Sequence, residues 1–140
     1  MKHAILILCI VLIALVIGEA KLGYRVTYGI AYGAIIQLSI VIAVTFLWLW
    51  KKRATPLALG MAFSWSGQAL VLGWWLALGA LGHPVSMIDS SLLFFFIALQ
   101  MVGAVLHFMV IERTLDFPRF SAFLLPVLFV LSSFGLAFSF

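Results

Sequence analysis

Long apolar runs separated by short segments that hold most of the charges dominate this chain. The runs cover residues 4–18, 27–50, 56–81, 90–111 and 119–138. A helix rises about 1.5 Å per residue and the hydrocarbon core of a bilayer is about 30 Å thick, so the four longer runs can each cross a membrane. The pattern predicts an all-α fold, a polytopic membrane bundle of five transmembrane helices in one domain over residues 1–140.

The first run has a second interpretation. It is the shortest of the five, and it follows a basic start at Lys2 and ends near the small residues Gly18 and Ala20. A basic start, an apolar core and small residues before a cleavage point are typical of a secretory signal peptide. Retention of residues 1–20 as a membrane helix and their removal both remain open, and the other four runs keep the same orientation in either case.

Composition excludes an ordinary soluble domain. Hydrophobic residues make up 66% of the chain and charged residues 9%, with a mean hydropathy of +1.31. The net charge of +4 does not indicate nucleic acid as a partner, because the basic residues lie beside the apolar runs. The expected partners are membrane lipids, other membrane subunits or a second copy of the chain.

Basic residues also predict the orientation. With five spans, six basic residues fall on one side of the membrane and two on the other. The richer side should face the cytoplasm, which places the N-terminus inside and the C-terminus outside, in a bacterial cytoplasmic (inner) membrane. The six are Lys2, Lys51, Lys52, Arg53, Arg113 and Arg119, and the two are Lys21 and Arg25.

Small and polar residues recur at helical spacing in the three middle runs, each of which carries one glutamine near its centre. Residues three, four, seven or eight apart share a helix face. The stripes predict close helix contacts in which the amides bond each other, and the alternative is a polar pocket or pathway that they line. The stripes are Gly29, Gly33 and Gln37; Gly60, Ser64, Gly67 and Gln68; and Gln100, Gly103 and His107.

Ionisable residues are scarce inside the runs, and this narrows the chemistry. The four acids, Glu19, Asp89, Glu112 and Asp116, lie at run ends or in loops, which disfavours proton- or sodium-coupled transport. His107 is the ionisable residue clearly within a run. It is interpreted as a neutral imidazole bonded to a neighbouring helix, with a ligand, quinone or proton-relay role as the alternative.

Catalytic and metal sites find little support in the sequence. One cysteine, Cys9, lies inside the first run, and no nucleophile and base are suitably spaced. His3 and His107 would make a poor haem pair because His3 is at the terminus. We therefore expect no enzyme and no metal site, and no cofactor is required by the sequence.

Aromatic residues near the outer ends of the third and fourth runs, together with one mid-run tryptophan, suggest a further site. They would form a wall for a flat apolar ligand such as a quinone, a carotenoid or a lipid chain, or they simply pack against lipid or a partner subunit. The residues are Trp65, Trp74, Trp75, Phe94, Phe95 and Phe96.

Three functions remain in order of preference. The first is a non-catalytic accessory or assembly subunit that packs laterally in a larger membrane complex or with itself. The second is a small oligomeric channel or carrier for a neutral or apolar solute. The third is a membrane redox or enzyme subunit that binds a quinone, a pigment or a lipid.

Overall fold

The described part of the protein is all-helical. A computed structural model describes residues 2–115 and the isolated positions 124, 127, 128, 131 and 132, and this part contains no strand. The all-α prediction is confirmed there. The predicted fifth run, 119–138, lies outside the described residues apart from those positions, so the five-helix count and the orientation stay predictions. The helices are α1 (Lys2–Leu22), α2 (Tyr24–Arg53), α3 (Pro56–Ala80), α4 (Val85–Ile88) and α5 (Leu92–Leu115).

Three stretches of the described chain are long and apolar enough to cross a membrane. They are His3–Leu22, Tyr24–Arg53 and Val85–Val110, the last of which includes α4 and most of α5. Helix α3 is not among them, although it is 25 residues long. Its sequence contains two serines and a glutamine, which lower its mean hydropathy. Because α3 contacts helices on two sides, its surface need not be apolar all round.

Helices α1 and α2 are longer than the apolar runs that predicted them. Only Gly23 separates them, in a backbone conformation with φ of 81° that glycine adopts without a steric penalty. Lys21 and Arg25 are good helix formers whose stems can lie along apolar surface while their charges reach water. The charged residues beside Gly23 therefore extend both helices instead of forming a loop.

The other connections are also short. After α2, Ala54 adopts a left-handed conformation with φ of 48°, and its N–H donates to the Trp50 carbonyl at 2.6 Å. Thr55 is extended and Pro56 begins α3, as expected for a proline in the first turn. Between α3 and α5 the chain forms the single turn α4, which the apolar pattern does not predict.

The largest contacts join α3 to α2 and to α5, and a smaller contact joins α1 to α2, so α3 is the central helix of the described part. Apart from Leu78, the buried residues of the described part are small, and many large apolar side chains point outward; Ile7, Val41 and Phe94, for example, are 61%, 62% and 74% exposed. Close approach of helices through small residues is the usual packing mode within a bilayer. The buried residues include Ser39, Ala43, Ala58, Gly60, Ala62, Gly67, Ala69 and Gly103.

Candidate functional site

The polar residues of α3 and α5 meet along one antiparallel contact, which we call the α3–α5 seam. Gly60 lies opposite Leu106, and Gly67 lies opposite Gln100, so the two helices run in opposite directions past each other. The structure thus brings the predicted stripes of α3 and α5 together. The α3–α5 seam consists of Gly60, Ser64, Gly67 and Gln68 on α3 with Gln100, Gly103 and His107 on α5.

Glycines allow the two backbones of the α3–α5 seam to approach closely. A Cβ atom added at Gly67 would lie 2.6 Å from Cβ and 2.8 Å from Cα of Gln100, closer than real Cβ atoms come. One added at Gly103 would collide with the backbone nitrogen and the hydroxyl of Ser64. Backbone atoms cannot move aside as a flexible side chain can, so these two positions require glycine in this arrangement.

An amide pair lies in the middle of the α3–α5 seam. Gln100 Nε2 donates to Gln68 Oε1 at 2.8 Å, and the pair is partly buried. In a medium without water an amide that lacks a partner is costly, and this bond satisfies one donor and one acceptor within the chain. The two glutamines therefore hold α3 against α5.

A second polar pair lies about one turn further along the α3–α5 seam. Ser64 Oγ is 3.5 Å from His107 Nδ1, at the long limit for a hydrogen bond. His107 Nε2 is buried and has no partner among the described residues. A neutral imidazole carries its proton on one nitrogen and accepts on the other, so His107 retains one unused bonding position in this part of the chain.

The third predicted stripe, on α2, lies apart from the α3–α5 seam. A Cβ at Gly29 or at Gly33 would meet no atom within 4 Å, and Gln37 is exposed. Ser39 is fully buried and lies two residues away, about 200° around the helix, so Gln37 points away from the α2–α3 contact. We call Gly33 and Gln37 the open face of α2. Gly29, one turn before Gly33, lines a groove between α2 and α3 instead.

Small residues that the sequence analysis did not single out form the contact between α2 and α3. Ser39 and Ala43 are buried on α2, and Ala43 lines a groove with Ser66 and Ala69 of α3. Ala62 shares a face with Ala69, opposite to the face of Gly60. The sequence does contain a pattern that indicates this contact. Small residues lie four apart on both helices, at Ser39 and Ala43 on α2 and at Ala62 and Ser66 on α3. The hydroxyl of Ser39 has no partner among the described residues.

Part of the predicted aromatic wall is brought together. Trp74 and Phe96 meet edge to face with ring centroids 5.9 Å apart, and Phe95 lies 6.2 Å from Phe96. Trp75 and Phe94 are exposed and Trp65 is half-buried. The structure therefore groups three of the six aromatic residues in one ring cluster between α3 and α5.

Two further observations bear on chemistry. Within the described part of the chain, no group of three or more His, Cys, Asp or Glu residues is placed to hold a metal ion. In comparisons with known proteins, no family model, curated protein or solved structure matches this chain. Function is therefore inferred from the geometry of the α3–α5 seam and the open face of α2.

Proposed function

We propose that this protein is a non-catalytic integral membrane subunit that docks laterally, through the open face of α2, on another membrane subunit or on a second copy of itself. The proposal includes five membrane spans, a cytoplasmic N-terminus and a location in a bacterial cytoplasmic membrane. In this role the protein acts by contact, as an accessory or assembly subunit.

The observation that carries the proposal is the exposed amide of Gln37. Its neighbours on the same face are apolar, and Ile30, Val41 and Val44 are each about 60% exposed. An amide that faces lipid without a partner costs several kcal/mol. A polar group from another helix would remove this cost, and the absence of a side chain at Gly33 leaves room for close approach.

The α3–α5 seam shows how such a face is closed within this chain. There, glycine and glutamine on one helix meet glutamine and glycine on the next, and the amides bond each other. The open face of α2 offers the same combination of residues to a helix from outside. Amides donate and accept, so a second copy or a different polar helix would both be chemically suitable.

The same geometry disfavours a solute pathway through a single copy. The glutamines of α3 and α5 are bonded to each other, and the glycines beside them are in contact with backbone. A pathway would have to form between several copies, with Gln37 facing a shared axis. The assembly experiment described next therefore also tests this alternative.

Assembly is tested by purification in a mild detergent followed by native mass spectrometry. We expect the chain with a stoichiometric partner or as a defined oligomer, and Gln37→Leu should remove the partner. The matched control, Val41→Leu, changes an apolar residue on the same side of α2 and should retain it. A monomer at every concentration, or equal behaviour of the two variants, would contradict the proposal. A homo-oligomer that conducts a solute would support the channel instead, and a visible chromophore would support the redox subunit.

Orientation is tested by cysteine labelling in a Cys9→Ser background. Thr55→Cys and Ser86→Cys change small exposed residues, the first just before α3 and the second in α4, beyond the other end of α3. A membrane-impermeant thiol reagent should label the first only from the cytoplasm and the second only from outside. The opposite pattern would reject the proposed orientation.

A further inference from the structure

A groove between the beginning of α2 and the end of α3 combines positive charge with apolar walls. Its volume is about 330 Å³, and its lining includes Arg25 and Tyr28 from α2, Trp75 and Gly79 from α3, and His83 from the turn that follows. We propose that this groove binds an anionic phospholipid, with the lipid phosphate on Arg25 and His83 and an acyl chain along Trp75. The site goes beyond the docking proposal and rests only on its membrane location.

The groove offers a positive charge that no carboxylate of its described lining neutralises. Arg25 has no ion pair among the described residues, and the lining of the groove contains no carboxylate. A phosphate in the groove would therefore meet a free guanidinium, and no negative side chain of the described lining would repel it. Guanidinium matches phosphate with two parallel hydrogen bonds, which is why arginine is common where phosphate is bound.

The backbone holds His83 at the mouth of the groove. After α3 the chain turns through Gly82 and His83, with φ of 74° and 61°. The N–H of His83 donates to the Leu78 carbonyl at 3.0 Å, which closes the turn against the end of α3. A left-handed conformation is uncommon for a residue with a side chain, and here it places an imidazole beside the first turn of α2.

The walls indicate a lipid and not a small soluble anion. Trp75 is 52% exposed and Tyr28 is 38% exposed, and their rings favour the depth of the headgroups, where one end is apolar and the other wet. The floor is open, since a Cβ added at Gly79 would meet no atom within 4 Å. An inorganic phosphate would leave this apolar floor unused, whereas an acyl chain would cover it.

The test uses the full chain in detergent, titrated with phosphatidylglycerol or with phosphatidylcholine of the same acyl chains, and native mass spectrometry to count bound lipid. We expect the anionic lipid to bind more tightly. Arg25→Gln should weaken its binding about tenfold, the loss expected for a charged hydrogen-bonding group on phosphate. Lys21→Gln removes the same charge near the same end of α2 but outside the groove lining, and should leave binding unchanged.

A second variant tests the cavity without altering charge. Gly79→Leu fills the floor, where it meets no protein atom, so the helices should remain folded by circular dichroism while the anionic lipid binds more weakly. The proposal is overturned if Arg25→Gln and Lys21→Gln behave alike, if the two lipids bind equally, or if folded Gly79→Leu binds as tightly as the parent chain. It is also overturned if inorganic phosphate binds alone through Arg25 and displaces the lipid. Gln37→Leu, which tests docking, should leave lipid binding unchanged, so the two proposals fail separately.

Discussion

The α3–α5 seam and the open face of α2 both combine glycine and glutamine on one face of a helix, yet one is closed and the other is not. In the α3–α5 seam, Gly67 lies against the backbone of Gln100, whereas Gly33 on α2 has no atom near its missing side chain. Gln68 is bonded and Gln37 is exposed. A stripe of glycine and glutamine therefore indicates that a helix can be approached closely. The helix that approaches it belongs to the same chain only if a facing helix of that chain carries a matching stripe.

Helix α1, the other neighbour of α2, cannot supply that match. Its sequence is almost entirely aliphatic between its charged ends. Its contact with α2 is tight, since a Cβ atom added at Gly18 would lie 3.2 Å from the side-chain methyl group of Thr27. Thr27 lies on a different side of α2 from Gln37. The polar stripe of α5 is already used by α3, so among the described helices nothing remains to cover Gln37.

The largest expected difference between the two regions concerns glycine. Gly67→Leu should destabilise the fold by about 3 kcal/mol, because a side chain there forces the backbones of α3 and α5 apart. Gly33→Leu should change fold stability by less than about 0.5 kcal/mol, since it points into open space. Thermal or denaturant unfolding in detergent measures both. Equal losses would mean that the α3–α5 seam and the open face of α2 do not differ as described.

The amide bond provides a smaller test. Gln68→Leu and Gln100→Leu should each cost about 0.5–2 kcal/mol, and the double variant should cost less than the sum, because the second change removes an amide that is already without its partner. Gln37→Leu combined with Gln68→Leu should instead be additive, since these side chains do not meet. Coupling between Gln37 and Gln68, or none between Gln68 and Gln100, would reject the arrangement of helices.

The smallest effect is expected at the serine of the second polar pair. Ser64→Ala should cost no more than about 0.5 kcal/mol, because its hydroxyl is 3.5 Å from His107 Nδ1 and alanine keeps the Cβ atom in place. The same unfolding measurement applies, with Ser66→Ala as a control outside the α3–α5 seam. A loss as large as that of Gln68→Leu would show that the serine and the histidine form a stronger bond than the distance indicates.

Sequence patterns predicted the helices better than their partners. Helical character follows from apolar runs of membrane length, and spacing on each helix groups the residues of α3 and α5 that lie together in the α3–α5 seam. The pairing of Gln100 with Gln68, and the separation of Gln37 from both, could not be derived in this way. It depends on the rotation of α2 about its axis, which the contact through Ser39 and Ala43 determines, and serine and alanine are too common in apolar runs to indicate a contact alone.

The ends of helices were also hard to predict from hydropathy. Apolar runs mark where lipid would be, but charged residues with high helix propensity continue the helix beyond them, as Lys21 and Arg25 do on either side of Gly23. The turn α4 consists of residues whose apolar character resembles that of a span, and Pro84 at its start separates it from α3. Arg25 was used only to assign the orientation, and His83 lies in a segment between two apolar runs, so their common groove was not predicted.

The single residue between α1 and α2 has a practical consequence for work on this protein. With only Gly23 between the helices, there is no loop at this point that a protease could cleave or that an antibody could recognise. An epitope inserted there would interrupt two helices at once. The segment from Leu81 to Ser91 is longer and largely exposed, with one helical turn in its middle. An affinity tag or a fluorescent reporter that must leave α1, α2, α3 and α5 intact is therefore best inserted beside Gly82, in the turn between α3 and α4.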